Sequence, residues 1–245
     1  MTFLLASVTP VCIFLFIIYW RDTELEPIAL LAKCFIGGFV AYGIALVIEL
    51  IIGIYTKETN NHFTYSFYNS FINAAIPEEG AKFFILYRLI WKPKDSNFDQ
   101  NYDGIVYAVF ISMGLALIEN ITYIIKGGMS VAVLRTVLTV PAHGLFAVQM
   151  GYFLSKAKFD KLENQPLNLL KSCLVPILFH GLFDFALMYA EKERHSTALV
   201  ALLSIMFCAI VLLLWSLGIK EINAMLIRDK TVVKNKPITF PKEND

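Results

Sequence analysis

Long apolar runs alternate with short polar segments along most of this chain. Each run holds about 20 residues or more, which is enough for an α-helix to cross the hydrocarbon core of a bilayer. The first run begins without a Lys or Arg and ends in bulky side chains, so we expect a retained helix and not a cleaved signal peptide. The pattern predicts seven membrane spans, at about residues 2–20, 28–54, 65–91, 103–125, 129–155, 167–190 and 196–219.

The composition indicates a membrane protein with little soluble structure. The 245 residues are 57% hydrophobic and 17% charged, with a mean hydropathy of +0.62. Soluble domains are typically ~45–50% apolar and ~25% charged. We therefore predict an all-α, polytopic transmembrane helix bundle over residues 1–222, with its core spans at about 65–190 and a basic cytoplasmic tail at 223–245. No basic patch is interleaved with aromatic residues, so we expect contact with the lipid bilayer and not with nucleic acid.

The Lys and Arg residues in the loops and at the ends of the runs predict the orientation of the bundle. If the N-terminus lies outside, fourteen of these cations fall on the inner side of the membrane and four on the outer side. Cytoplasmic segments of membrane proteins carry an excess of Lys and Arg. The pattern therefore favours an N-out, C-in topology, with these four residues outside: Lys57, Lys126, Lys192 and Arg194.

Two adjacent carboxylates and a lysine occupy the middle of the third run. A charge at that depth costs at least ~2.5–3.5 kcal/mol, so such residues usually face a partner, a cavity or a functional site. Glu78 and Lys82 are four residues apart and share a helix face, so they can form a salt bridge. That pair leaves Glu79, which points about 100° away, without a structural explanation.

Histidines and further carboxylates lie at a similar depth in the next three runs. Glu119 and Asn120 are adjacent in the fourth run. His143 is near the middle of the fifth run, and His180 and Asp184 lie one turn apart in the sixth. Both histidines precede a glycine, which permits close helix packing in membranes. Any one of these residues has an ordinary structural explanation, but a network of buried charges at one depth favours a functional site.

Carboxylates and imidazoles at one depth support hydrolysis by either of two schemes. In the first, His143 and His180 bind zinc. Glu79 or Asp184 supplies a further ligand, and the remaining glutamate of the pair acts as general base. In the second, Glu78 and His143 activate water without a metal, while His180 and Asp184 stabilise the oxyanion. An ionised Asp accepts hydrogen bonds but cannot donate them, so we favour the zinc scheme.

The ordered motifs resemble those of the PrsW family of bacterial intramembrane proteases, which is related to the CAAX prenyl endopeptidases. On successive runs they read Glu78-Glu79-x-x-Lys82, Glu119-Asn120, His143 and His180-x-x-x-Asp184. The resemblance covers about residues 65–190. It departs from the wider superfamily at Leu115, where an aromatic residue is expected four positions before the glutamate of the second motif.

The resemblance implies a function in the bacterial cell membrane. Members of the family are expected to cleave a single-span, membrane-anchored anti-sigma factor at a first, extracytoplasmic site, which starts the release of a sigma factor. By resemblance, Glu119 and Asp184 belong to the site, and we predict that Lys82 and Asn120 support it. The residues that the resemblance implies for catalysis are Glu78, Glu79, His143 and His180.

Two other functional classes compete with the protease. An ion- or proton-coupled transporter or channel would use the carboxylates to relay protons or bind cations. The chain has no inverted repeat of the length that such transporters require. A non-catalytic membrane scaffold would pack in the same way as a protease, so a cleavage assay is what separates those two classes.

Overall fold

The computed structural model describes residues 2–55, 60–91 and 97–235, and over these residues the chain is helical without any strand. The predicted all-α class is therefore confirmed for the described part. The α-helices are α1 (Thr2–Trp20), α2 (Ile28–Tyr55), α3 (His62–Phe67), α4 (Ile76–Leu86), α5 (Asp103–Leu134), α6 (Val140–Phe159), α7 (Gln165–Lys192) and α8 (Thr197–Asn235).

Shorter helical segments connect several of these helices. Tyr68–Ala75, Tyr87–Trp91 and Arg135–Thr139 are π-helical, and Leu162–Asn164 is a 3₁₀ turn. The first two segments flank α4, so residues 62–91 form one continuous helical stretch. π-Helical turns are rare and occur frequently at functional sites.

The helices account for several membrane crossings. Among the described residues, the helical stretches long and apolar enough to span a membrane are Ile28–Gly53, Asp103–Phe159, Leu162–Lys192 and Thr197–Thr231, and Leu5–Trp20 is a shorter apolar helix. The stretch Asp103–Phe159 has 57 residues, which would extend about 85 Å as one straight helix. Gly128 breaks it with a φ of +73°, which glycine adopts readily, and α5 then packs against α6. The total of seven spans remains a prediction.

Helix α5 lies at the centre of the packing. It contacts α1, α2, α4 and α6, and its first half is almost fully buried, including the side chains of Val106, Tyr107 and Met113. Helix α7 contacts α4, α6, α8 and the π-helical segment before α4. The predicted third to sixth spans therefore meet around one interior.

Helices α2 and α5 cross in direct backbone contact. A Cβ atom added to Gly38 would lie 2.1 Å from the carbonyl oxygen of Ile111, and one added to Gly114 would lie 2.0 Å from that of Phe35. Lipid tails are as apolar as Leu, so helices in a bilayer associate through close packing and polar contacts, and small residues let their backbones approach. The crossing therefore depends on these two glycines.

Helix α8 extends past the predicted end of the bundle. It continues to Asn235, whereas the tail was predicted to begin at residue 223. The last part of that tail, residues 236–245, lies outside the described residues.

Replacing Gly38 by Leu should destabilise the bundle, because the added side chain overlaps the α5 backbone. Overpacking of this kind costs ~1–3 kcal/mol, and thermal unfolding in detergent, followed by circular dichroism, measures it. The matched control is Gly43→Leu on the same helix, where no described residue lies within 4 Å of an added Cβ. Equal melting temperatures for the two variants would contradict the close crossing.

Candidate active site

The first turn of α4 presents the adjacent glutamates of the third run. Pro77 precedes them at a position where its missing N–H is tolerated, and Glu78, Glu79 and Lys82 are all buried. Because α4 packs against α7, its first turn faces the helix that carries His180. The local sequence thus delivers two carboxylates and an ammonium group into the interior.

Four of the predicted residues converge on one point. One ligand atom from each lies within 4.8 Å of the others, and all four side chains are buried. They come from α4, α6 and α7, which are distant in sequence. The members of this group are Glu78, Glu79, His143 and His180.

Each histidine is held by a carboxylate on a different helix. His180 Nδ1 lies 2.8 Å from Glu79 Oε1, and His143 Nε2 lies 2.8 Å from Glu119 Oε2. Asp184 Oδ2 lies 3.3 Å from His180 Nε2. Glu119 and Asp184 therefore lie outside the four-residue group and orient its imidazoles, as outer carboxylates orient histidine ligands in metal sites.

Lys82 occupies the middle of the group. Its Nζ lies 2.7 Å from Glu79 Oε1 and 3.8 Å from Glu78 Oε2. The four-residue spacing predicted a salt bridge with Glu78, but the nearer partner is Glu79. The hydrogen bond from His180 holds Glu79 in the interior, within reach of the ammonium group. Lys82 Nζ also lies 3.2 Å from His143 Nδ1. An ammonium has donors only, so His143 Nδ1 accepts and Nε2–H donates to Glu119.

Two carboxylate oxygens at the centre lack a hydrogen-bond donor among the described residues. Glu78 Oε2 and Glu79 Oε2 are buried and accept no hydrogen bond from the described residues. A buried polar atom in this condition is costly unless water, an ion or a ligand meets it. These two oxygens are therefore available to accept a hydrogen bond from water or a ligand, or to bind an ion.

Aromatic rings line the site beside the histidines. Phe146 stacks on His180, with centroids 5.0 Å apart and planes 14° from parallel. The glycine after each histidine packs against a ring, because a Cβ on Gly144 would lie 2.4 Å from Phe14, and one on Gly181 would lie 2.3 Å from Phe71. At both His-Gly pairs the glycine therefore makes room for an aromatic ring, and not for the backbone of a neighbouring helix.

Arg135 is a site residue that the sequence reasoning missed. Its Nη2 lies 3.1 Å from Glu119 Oε2, its Nε donates to Asn120 Oδ1 at 3.1 Å, and its guanidinium lies 4.4 Å above the Tyr123 ring. Asn120 in turn donates to the carbonyl of Ser7 in α1, so it supports the site from behind. An arginine within an apolar run was the signal that could have identified it.

The residues present fit a bound metal ion. Two imidazoles and two carboxylates form a donor set that suits zinc, and the unpartnered oxygens of Glu78 and Glu79 are available to an ion. The outer carboxylates leave both Nδ1 atoms directed at the group. A metal there would compete with the Lys82 ammonium for both the Glu79 carboxylate and His143 Nδ1.

Comparisons with a family model and with individual proteins point to the same family. The family model described as "PrsW family intramembrane metalloprotease" matches residues 26–215. A protein named "Protease PrsW" from Clostridioides difficile (strain 630) is 35% identical over 235 residues, 93% of each chain. Proteins of the same name from Oceanobacillus iheyensis and Bacillus subtilis (strain 168) are 36% and 35% identical, covering 76% and 74% of this chain and 83% and 81% of theirs. No solved structure gives a significant match.

Replacing Arg135 by Met should lower the free energy of unfolding by ~3–5 kcal/mol, because it leaves Glu119 buried without its cation. The double variant Arg135→Met/Glu119→Gln removes the unpaired charge and should lose less than the sum of the two single variants. Unfolding of all four proteins in detergent gives the coupling energy. Additive losses would show that the ion pair contributes nothing.

Proposed function

Because the chain belongs to the PrsW family of intramembrane metalloproteases, as its motifs predicted, we propose that it cleaves a membrane-anchored anti-sigma factor at a first, extracytoplasmic site. The chain is a multi-pass peptidase of the bacterial membrane, and its substrate is a membrane protein. Cleavage at that site would start the release of a sigma factor. The anti-sigma factor as substrate rests on the family resemblance.

One observation carries the proposal. Two Glu–His pairs, Glu79–His180 and Glu119–His143, are buried side by side with Lys82 between them. A transporter needs a charged group on a path for an ion, whereas hydrolysis needs a base beside acceptors and donors with defined positions. The unpartnered oxygens of Glu78 and Glu79 supply that base and a ligand.

Glu78 is the residue best placed to act as general base. Its nearest cation, Lys82, is 3.8 Å away, so its carboxylate is less engaged than that of Glu79. It would take a proton from the attacking water and return it to the nitrogen of the leaving amine. Lys82 would add positive charge near the oxyanion.

Zinc is the proposed cofactor, with Glu79, His143 and His180 as the residues that would hold it. A bound zinc ion would supply an activated water and polarise the carbonyl of the scissile bond. Asp184 would keep its contact with His180 Nε2 and orient the ring. Glu79 and Asp184 were both predicted as the possible carboxylate ligand of zinc, and of the two we propose Glu79.

The metal-free scheme receives less support from the geometry. It needs His180 and Asp184 to donate hydrogen bonds to an oxyanion. Both ring nitrogens of His180 already face carboxylate oxygens, at 2.8 Å and 3.3 Å. No N–H of this ring is therefore free for the oxyanion in this arrangement.

Seven spans with an N-out, C-in topology are proposed for the bundle. The break at Gly128 supports two crossings within Asp103–Phe159, and we assign a further crossing, which carries Glu78, to the continuous helical stretch 62–91. This topology gives the catalytic helices α4 to α7 alternating directions, with the tail on the cytoplasmic side.

Co-expression with candidate single-span anti-sigma factors should yield a truncated product with the wild-type protein and none with Glu78→Ala. Loss of a general base typically costs ~10²–10⁴ in rate, so immunoblotting against the substrate ectodomain will detect the difference. Glu163→Gln is the matched control, since Glu163 is an exposed carboxylate outside the site. Equal product from wild type and Glu78→Ala would refute the assignment.

Purified protein should contain close to one zinc ion per chain by elemental analysis. The ion should be lost in His143→Ala and in His180→Ala, and chelation should abolish cleavage until zinc is added back, because the imidazoles are ligands. Asp184→Asn should retain most of the zinc, since its side chain contacts the outer nitrogen of His180. Full cleavage by demonstrably metal-free protein would favour the metal-free scheme instead.

A reporter protein fused after Asp245 should lie in the cytoplasm, as the excess of inner Lys and Arg predicts. Alkaline phosphatase and green fluorescent protein fusions give opposite signals on the two sides of the membrane. A phosphatase signal from the fusion at residue 245 would overturn the C-in topology.

A further inference from the structure

A second group of carboxylates lies at the start of α5, away from the middle of the helix, where Glu119 reaches the active site. It contains Asp22 and Glu26, in the link between α1 and α2, and Asp103, the first residue of α5. One ligand atom from each lies within 4.8 Å of the others. Asp103 and Glu119 are separated by about 24 Å along α5, so the two groups are distinct.

The three side chains are buried and partly anchored. Their exposed fractions are 9%, 6% and 0% for Asp22, Glu26 and Asp103. Asp103 Oδ2 accepts the backbone N–H groups of Asp99 and Gln100 at 2.9 and 2.7 Å. Asp22 Oδ1 accepts the Glu24 N–H at 3.4 Å, and the Tyr107 hydroxyl donates to Glu26 Oε2.

Two buried carboxylate oxygens of the group are not hydrogen-bonded by these anchors. Asp22 Oδ2 and Asp103 Oδ1 accept no hydrogen bond from the described residues. A fully buried carboxylate oxygen in this condition costs free energy unless an ion, water or a proton meets it. The surrounding structure thus fixes the carboxylates in place while leaving the group as a whole incomplete.

No cation of the described part of the chain contacts the group directly, although Lys158 attracts Asp103 from a longer distance. No described Lys or Arg forms an ion pair with Asp22, Glu26 or Asp103. Three carboxylates held together in this way need a positive charge.

We propose that Asp22, Glu26 and Asp103 bind one hard divalent cation, Ca²⁺ or Mg²⁺, which clamps the α1–α2 link onto the start of α5. All the donors are oxygen atoms, which suit these two ions better than zinc or copper. The ion neutralises the buried charge and joins segments distant in sequence. Its role is structural, so it is independent of the metal proposed at the active site.

The test uses the full-length protein, purified in detergent and stripped with chelator. Ca²⁺ and Mg²⁺ are added in separate titrations, and the melting temperature and calorimetric binding are followed. One of the ions should raise the melting temperature saturably, with one ion bound per chain. The titrations distinguish the two ions by their midpoints. The same response in Glu79→Gln would place the effect outside the active site.

Asp22→Asn is the sharpest variant, because an amide oxygen can still accept the Glu24 N–H while the charge is lost. It should weaken binding at least ten-fold, and Glu26→Gln should do the same, so that one misfolded variant does not decide the result. Glu24→Gln is the matched control, since Glu24 is an exposed carboxylate two residues away, and it should bind as wild type does.

Two outcomes would overturn the proposal. If neither ion binds or raises the melting temperature of the wild-type protein, and Asp22→Asn is more stable than wild type, the carboxylates share protons instead. If neither ion acts and Lys92→Gln/Lys94→Gln is destabilised, lysines outside the described residues supply the charge.

Discussion

A charge buried within a bilayer must be paired, and this requirement determines how the central helices of the bundle meet. Hydrophobic burial does not select one helix pairing over another in lipid, because the lipid tails are as apolar as the side chains. The polar pairs make that selection. Glu79–His180 joins α4 to α7, and Glu119–His143 joins α5 to α6. The contacts that arrange the helices are therefore the same contacts that bring together the groups proposed for catalysis.

The close glycine crossing complements these polar pairs. Gly38 and Gly114 bring α2 against α5 without intervening side chains, so the central helix has a fixed neighbour on one side and charged partners on the other. One carboxylate group lies at the start of that helix, and the other meets its middle at Glu119. A change in the position of α5 would disturb both, which links the stability of the bundle to the geometry of the active site.

Much of this arrangement was predictable from residue types and run lengths. Apolar runs predict helices, and a charge inside such a run is costly in any context, so Glu78, Glu79, His143 and His180 were identifiable before their contacts were known. The nearer partner of Lys82 could not be predicted, because residues three and four positions away are almost equivalent neighbours on a helix. Glu79 is favoured over Glu78 because His180 on α7 bonds it.

Other features depended on contacts that no local pattern contains. Arg135 meets Glu119 across the break at Gly128, so its partner could be known only from the tertiary fold. Its position in an apolar run indicated that it has a role, but not which residue it pairs with. Asp22, Glu26 and Asp103 each lie near a helix end, where single carboxylates are common. Their meeting follows from the way that the α1–α2 link packs on α5.

The π-helical segment before α4 influences how α4 is rotated about its own axis. A π turn closes i→i+5 hydrogen bonds, so it contains about one residue more than an α turn. Releasing that residue would rotate α4 by about 100° and shift it about 1.5 Å along its axis. This is the angle that separates Glu78 from Glu79 around the helix. The segment Tyr68–Ala75 therefore sets the rotation of α4 at which Glu79, and not Glu78, bonds His180.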